Sequence, residues 1–402
     1  MQKDHYDIAI IGGGMVGATL AVGLRNALPD NVSLVVIEAV AMPDESLFVD
    51  AWQPSYDGRS TALAEGARGI FEGFGLWQSV AANVEPINSI HVSDRGHFGM
   101  TRIHADEHNV PALGYVVDNS WLGRVLLSEV QQAEGIEWLC PVKVKSLIPD
   151  PEMMTLELEQ GKALTAGLVI LADGGRSGLT ETLGVDVDVS DYGQKAIVAN
   201  VSPARHHQNV AYERFTDEGP MALLPRAGGD CALVWTMPEI IADERMQLVD
   251  EDFLKELQDR FGYRLGRFSK VGERFSYPLS LRQSREQVRP GLVVLGNAAH
   301  SLHPVAGQGF NLSLRDVQIL AQVLADANQA GKQLGGLDTL LSYVESRKLD
   351  QQQTIGFSDQ VVSLFSNSSA ALAGIRNAGL LSMELLFPLR DWFARQAMGL
   401  GR

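Results

Sequence analysis

The sequence predicts an α/β fold: a parallel, helix-flanked sheet interleaved with a smaller antiparallel sheet, followed by a helical C-terminus. Three observations predict it. The first 40 residues read strand–helix–strand around a glycine-rich turn. Apolar runs at 168–172 and 292–295 read as further strands buried on both faces. Between them lies a stretch rich in alternation and aromatics (Tyr212, Phe215, Trp235, Tyr263, Phe268, Phe275 and Tyr277), as in an antiparallel sheet with one solvated face.

Each element follows in order. Residues 6–11 form a short, almost wholly apolar strand. A turn over 12–17 opens a helix over 15–28, stopped by Pro29-Asp30-Asn31. Residues 32–37 make a second buried strand that ends at Glu38, before a loop with Pro43, Pro54 and Gly58. Residues 122–130 read as an amphipathic helix. The strand at 168–172 runs into Asp173-Gly174-Gly175, and one at 196–201 gives way to a loop at Ser202-Pro203. The strand at 292–295 runs into Gly296-Asn297-Ala298-Ala299. After Asn311 the pattern is helical, with breaks near Gly331 and Pro388. The apolar segment 380–389 reads as a packed terminal helix, the other reading being a lipid or partner surface. His206-His207 reads as a surface loop.

Composition excludes several classes. The chain has 402 residues, 45% hydrophobic, with 33 Lys+Arg against 49 Asp+Glu for a net charge of −16. That apolar content is ample for a core, so disorder is not expected. The acidic balance argues against nucleic acid as a partner, since phosphate neutralisation needs a basic face. Two cysteines, Cys140 and Cys231, exclude a disulfide scaffold or a Cys-rich metal centre. No apolar run approaches the ~20 residues of a membrane span, and the N-terminus lacks a signal-peptide layout, so a cytoplasmic location is the expectation.

Gly12-x-Gly14-x-x-Gly17 stands where a Rossmann-type dinucleotide fingerprint must stand, after a buried strand and opening a helix. The first glycine permits the tight turn, the second lets the backbone approach a pyrophosphate, and the third allows close helix–strand packing. Glu38, at the end of the next strand, suits ribose hydroxyls and disfavours a 2′-phosphate. The fingerprint alone does not separate FAD from NAD. Two later segments bear on that choice: Asp173-Gly174 at one strand end, and Gly296-Asn297 followed by the loop Pro304-Val305-Ala306-Gly307-Gln308-Gly309-Phe310-Asn311, whose backbone N–H groups can meet a flat ligand.

In this order the three segments resemble the class A flavoprotein aromatic hydroxylases, the para-hydroxybenzoate hydroxylase-like fold. Residues 91–97, 296–299 and 395–400 are similar to the ubiquinone-biosynthesis hydroxylases of bacteria. The resemblance implies a discontinuous FAD-binding domain (1–80, 110–184 and 278–345), a substrate domain (81–109 and 185–277) and a C-terminal helical region (346–402). It implies that the first motif and Glu38 hold the ADP half of FAD, that Asp173-Gly174 meets FAD and NAD(P)H, and that Gly296-Asn297 holds the ribityl chain. Gly307, Gln308, Gly309 and Asn311 would face the flavin ring together with Pro304, and His303 could polarise the flavin edge, packing or capping being the other reading. Arg59 would contact the cofactor, and Arg124 could reach its phosphates, a solvated helix face being the other reading. Arg59, His303 and Pro304 are the candidates nearest the chemistry. His300 and His303 lack a third ligand at suitable spacing, so no metal is expected. The family's usual Asp is Asn297 here, which keeps an acceptor and loses a charge, so altered FAD affinity is expected.

The implied activity is an FAD-dependent monooxygenase using NADH or NADPH and O₂ to hydroxylate a prenylated phenol of ubiquinone biosynthesis, 2-polyprenyl-6-methoxyphenol to the 1,4-benzoquinol. Other ubiquinone-biosynthesis proteins and peripheral contact with the inner membrane are implied as partners. Alternatives are another ring position, a flavin-dependent reductase, or a flavin-binding structural subunit.

Overall fold

The computed structural model describes residues 3–41, 59–96, 100–150, 152–302, 307–365 and 387–400. His303, Pro304, the 42–58 loop and segment 380–386 lie outside them.

The first sheet has eight strands. His5–Ile11 sits at its centre, parallel to Leu34–Ile37 on one side and Ala163–Leu171 on the other. Ile136–Leu139 and Leu292–Val294 extend the parallel run. These strands are apolar throughout because both faces are covered. Helices Met15–Ala27, Asn119–Gln132, Gln308–Gln329 and Leu337–Phe365 contribute to one core around Ile8, Ile10 and Val36. An antiparallel hairpin, Val144–Pro149 with Met154–Leu158, covers the other face around Ala9, Ile11 and Val169.

The second sheet has nine strands and is antiparallel save for Val210–Phe215 beside Ser89–Asp94. Its long strand, Val187–Pro203, continues through Ser202-Pro203, where a loop was expected. Ser202 pairs with Lys270 and Pro203 with Phe268, and the register slips between them, which accommodates a proline at a strand's last position. Nor is one face solvated, as the alternation suggested. Ile197, Leu233 and Trp235 pack on Phe253 and Leu257 of helix Asp250–Phe261. The opposite face lines a cavity.

A three-stranded sheet, Ser60–Ala64, Gly114–Asp118 and Val84–Ile87, lies among the cavity's lining elements. The break near Gly331 falls between helices Gln308–Gln329 and Leu337–Phe365. Pro388 is in the first turn of Phe387–Ala397, where a missing N–H costs nothing. That helix is tied down by His108–Asp391 at 2.7 Å and Arg390–Glu107 at 3.1 Å. His207 is buried, not a surface residue, with its Nε2 2.9 Å from the Arg226 carbonyl. Neither Cys140 nor Cys231 is in a disulfide, and the Cys140 thiol donates to the Val40 carbonyl at 3.1 Å.

Candidate active site

The glycine-rich turn is built by close backbone approach. Gly12 has φ +103°, and a Cβ there would sit 2.6 Å from the Ala172 carbonyl oxygen. A Cβ on Gly17 would be 1.9 Å from the Gly12 carbonyl oxygen, so the helix can cross the strand only where a hydrogen replaces a side chain. Glu38 is 6% exposed. Its carboxylate accepts the Gly13 N–H at 2.7 Å and the Val40 N–H at 2.8 Å, which holds it against the turn.

Helix Met15–Ala27 begins at Gly14 with no side-chain cap and no acidic residue in its first turn. Helix Gln308–Gln329 begins at Gly307, in the left-handed region at φ +61°, again uncapped and without a first-turn acid. Both N-termini border one cavity of about 960 Å³. Uncapped N–H groups at a helix start attract negative charge. Two such ends, with a carboxylate held between strands, form a donor and acceptor set that fits a pyrophosphate-bearing dinucleotide.

Most of the residues expected at the site come together around this cavity. Gly12, Gly14, Glu38, Arg59, Asp173, Gly174, Gly296, Asn297, Gly307, Gln308, Gly309 and Asn311 all line it. Asn297 is exposed toward it. Asp173 folds onto its own loop, accepting the N–H groups of Gly175 and Ser177 at 3.0 and 2.9 Å. The Arg59 guanidinium lies 4.5 Å from the Tyr277 ring centroid. The Asn311 side chain is used by the protein: its oxygen accepts the Ala64 N–H, and its nitrogen donates to the carbonyls of Ala62 and Gly307. It thereby fixes the Gly307 turn against strand Ser60–Ala64. Gly17 lies beneath the turn and not on the cavity wall. Arg124 is exposed, stacked over Trp121 at 5.7 Å, and is not among the lining residues. His303 and Pro304 lie outside the described residues.

His300 is fully buried, with its Nε2 2.6 Å from Asp316 Oδ2. Burial pushes the Asp316 carboxyl up, but His300 and Arg347 overcome this and hold it below the usual carboxylate range. Among the described residues no group of three or more His, Cys, Asp or Glu side chains is arranged to hold a metal.

Sequence reading missed three features here. Arg226 donates to both oxygens of Asp118, at 3.0 and 2.7 Å, tying the antiparallel sheet to the three-stranded one. Phe357, Phe393 and Met398 bring the C-terminal helices to the cavity wall. Glu213 places a carboxyl in the apolar wall of the sheet. Only the last had a local signal, a charge on the inward phase of the alternating strand Ala211-x-Glu213-x-Phe215.

The family described as FAD binding domain matches residues 5–358. The ubiquinone hydroxylase UbiL of Rhodospirillum rubrum is 36% identical over 98% of this chain and 89% of its own. The 3-demethoxyubiquinol 3-hydroxylase of Escherichia coli is 30% identical, with 100% of both chains covered. Among solved structures, the p-nitrophenol 4-monooxygenase PnpA from Pseudomonas putida shares the fold, with a TM-score of 0.80 at 17% identity and 99% of each chain covered.

Proposed function

The chain belongs to the FAD-binding-domain family, within the ubiquinone-biosynthesis hydroxylases, and from that premise we propose that it hydroxylates the ring of a prenylated phenol, 2-polyprenyl-6-methoxyphenol. It is an FAD-dependent aromatic monooxygenase. When bound, FAD passes electrons from NADH or NADPH to O₂ and supplies one oxygen atom to the ring. The observation that carries the substrate reading is a cavity in which the dinucleotide-type turn meets the apolar face of a second sheet.

In this reading Gly12 and Gly14 admit the pyrophosphate to the N-terminus of Met15–Ala27, and Glu38 accepts the ribose hydroxyls. Asn297 offers its amide to the polyol chain. Gly307, Gln308 and Gly309 present backbone N–H groups to the flavin ring. Asp173-Gly174 closes the same wall, and Arg59, steadied on Tyr277, stands by the ring. Asn311 acts by holding the Gly307 turn. Residues 1–80, 110–184 and 278–345 serve as the FAD-binding domain, 81–109 and 185–277 as the substrate domain, and 346–402 as a helical cover. The apolar wall keeps water from the reacting centre and receives the prenyl tail. Its lipid substrate supports peripheral contact with the membrane that stores it, on the cytoplasmic side, and work beside other ubiquinone-biosynthesis proteins. No described helix is long and apolar enough to cross a membrane.

The test uses purified holoenzyme. Its flavin absorbance should bleach with NAD(P)H and recover in air only with O₂ uptake. Mass spectrometry should then find one added oxygen on a short-tailed 2-methoxyphenol. Bleaching with no oxygenated product on any prenylated phenol would identify a reductase instead.

A further inference from the structure

The antiparallel sheet turns an apolar wall to the cavity: Val92, Ala211, Phe215, Ala222, Leu224 and Val234. Glu213 stands in the middle of it. Its cross-strand partners are Val92 on one side and Ala222 on the other, both alkyl. Among the described residues no hydrogen bond or ion pair engages its carboxyl. Glu213 is half-buried, on the cavity wall. A carboxyl set among alkyl groups without a partner costs free energy that those neighbours cannot return, and such groups concentrate at functional sites.

The surrounding charges do not compensate it. On its own strand Arg214 turns to the other face, donating to Ser93 and to the Arg260 carbonyl. Strand Ser89–Asp94 carries His91 on that other face, and Asp94, which pairs with Phe215 two residues along. Pro220–Pro225 carries no ionisable residue. Elsewhere on the lining, Arg59 stacks on Tyr277.

We propose that Glu213 receives the ring hydroxyl of the substrate and takes its proton as the ring is hydroxylated, an assignment that rests on the phenol-hydroxylating function above. The phenolic O–H bond breaks as a new O–H bond forms on the Glu213 carboxylate, and the pair left on oxygen drives through the ring so that a ring carbon forms a C–O bond to one atom of the O₂ reduced by NAD(P)H, its O–O bond breaking and the other atom leaving as hydroxide. The attacked ring carbon then loses its hydrogen as a proton to that hydroxide, giving water, and Glu213 returns its proton to the phenolic oxygen. The step involves no net oxidation at Glu213. Burial raises the carboxyl to about 8. A phenol ionises near 10 and an ordinary Glu near 4.3, roughly six units apart, so the cavity brings donor and acceptor much closer.

The experiment compares wild type, Glu213→Gln and Glu213→Leu as holoenzymes, first checking that flavin content is equal. Affinities for a short-tailed 2-methoxyphenol and its methyl ether, which lacks the ring hydroxyl, are measured by calorimetry at a pH above the Glu213 transition. Wild type should prefer the phenol by about tenfold or more, and Glu213→Leu should bind both alike, with ether affinity unchanged. In Glu213→Gln, KM should stay within about twofold while kcat falls on the order of 100-fold. Its pH profile should lose the rise through about 8 seen in wild type. A phenol preference that survives in Glu213→Leu, or an unchanged kcat and pH profile in Glu213→Gln, would overturn the assignment. If wild type binds neither compound and oxygenates no phenol, the functional reading beneath it falls first.

Discussion

Gly14 differs from its neighbours in why it must be glycine. Gly12 and Gly17 are demanded by the protein, through a positive φ and a 1.9 Å backbone approach respectively. Gly14 has φ −66° and ψ −176°, a conformation open to any residue. The role proposed for Gly14 is to leave room for the pyrophosphate that approaches the helix end. Gly14→Val should therefore lose its FAD, measured as the flavin-to-protein ratio after purification. Equal flavin in mutant and parent would refute the site. His91 makes a second prediction at this scale. Burial first, then the charges of Arg264, Arg102 and Arg214, push its imidazole down to about 4. An unfolded chain's histidine titrates near 6.5. Because the folded pKa is the lower one, the contribution to stability is intact above 6.5. It is lost as pH falls from 6.5 toward 4, where the unfolded chain takes a proton that the fold refuses. Urea midpoints stepped through that window should decline, and His91→Gln should flatten the decline.

At the scale of elements, one carboxylate joins the third sequence motif to both long helices. Asp316 accepts from Arg347 Nε at 2.6 Å and from Gln351 Nε2 at 2.9 Å, opposite its contact with His300. Arg347 also meets Asp350, which holds Arg315 at 2.8 Å. Asp316 and Arg347 are both 0% exposed. Removing one member leaves a buried charge uncompensated, so Asp316→Asn should cost about 3–5 kcal/mol, read from chemical unfolding of the apoprotein. A loss under about 1 kcal/mol would show that Asp350 alone suffices for Arg347. Local sequence foretold the strands at the glycine-rich turn, since buried parallel strands are apolar in any setting. It misjudged Ser202-Pro203, because the strand continues there only by pairing with Phe268–Val271. The three-stranded sheet went unread for the same reason, its partners being separated by tens of residues.

Across the whole molecule, the cavity draws its walls from both large sheets, the three-stranded sheet and the C-terminal helices. Such a site is sized for more than a ring. Each buried CH₂ contributes about 0.8 kcal/mol, so a methoxyphenol with one five-carbon prenyl unit should bind on the order of 1,000-fold more tightly than the tail-less ring. Calorimetry on the two compounds checks this, and equal affinities would place the tail outside the cavity.

What the residues alone determined is the chemistry that depends on short spacing. The glycines of the turn, Glu38 at the next strand end, Asp173-Gly174 and Gly296-Asn297 each act through backbone geometry within a few residues, so their pattern survives in one dimension. What only the tertiary structure decided is which surfaces meet. The apolar face of the antiparallel sheet reads the same whether it lies against helices or a cavity, and a carboxylate such as Glu213 or Asp316 looks alike on any strand or helix. Its partners, or their absence, come from chain segments distant in sequence, and burial by those segments sets its charge.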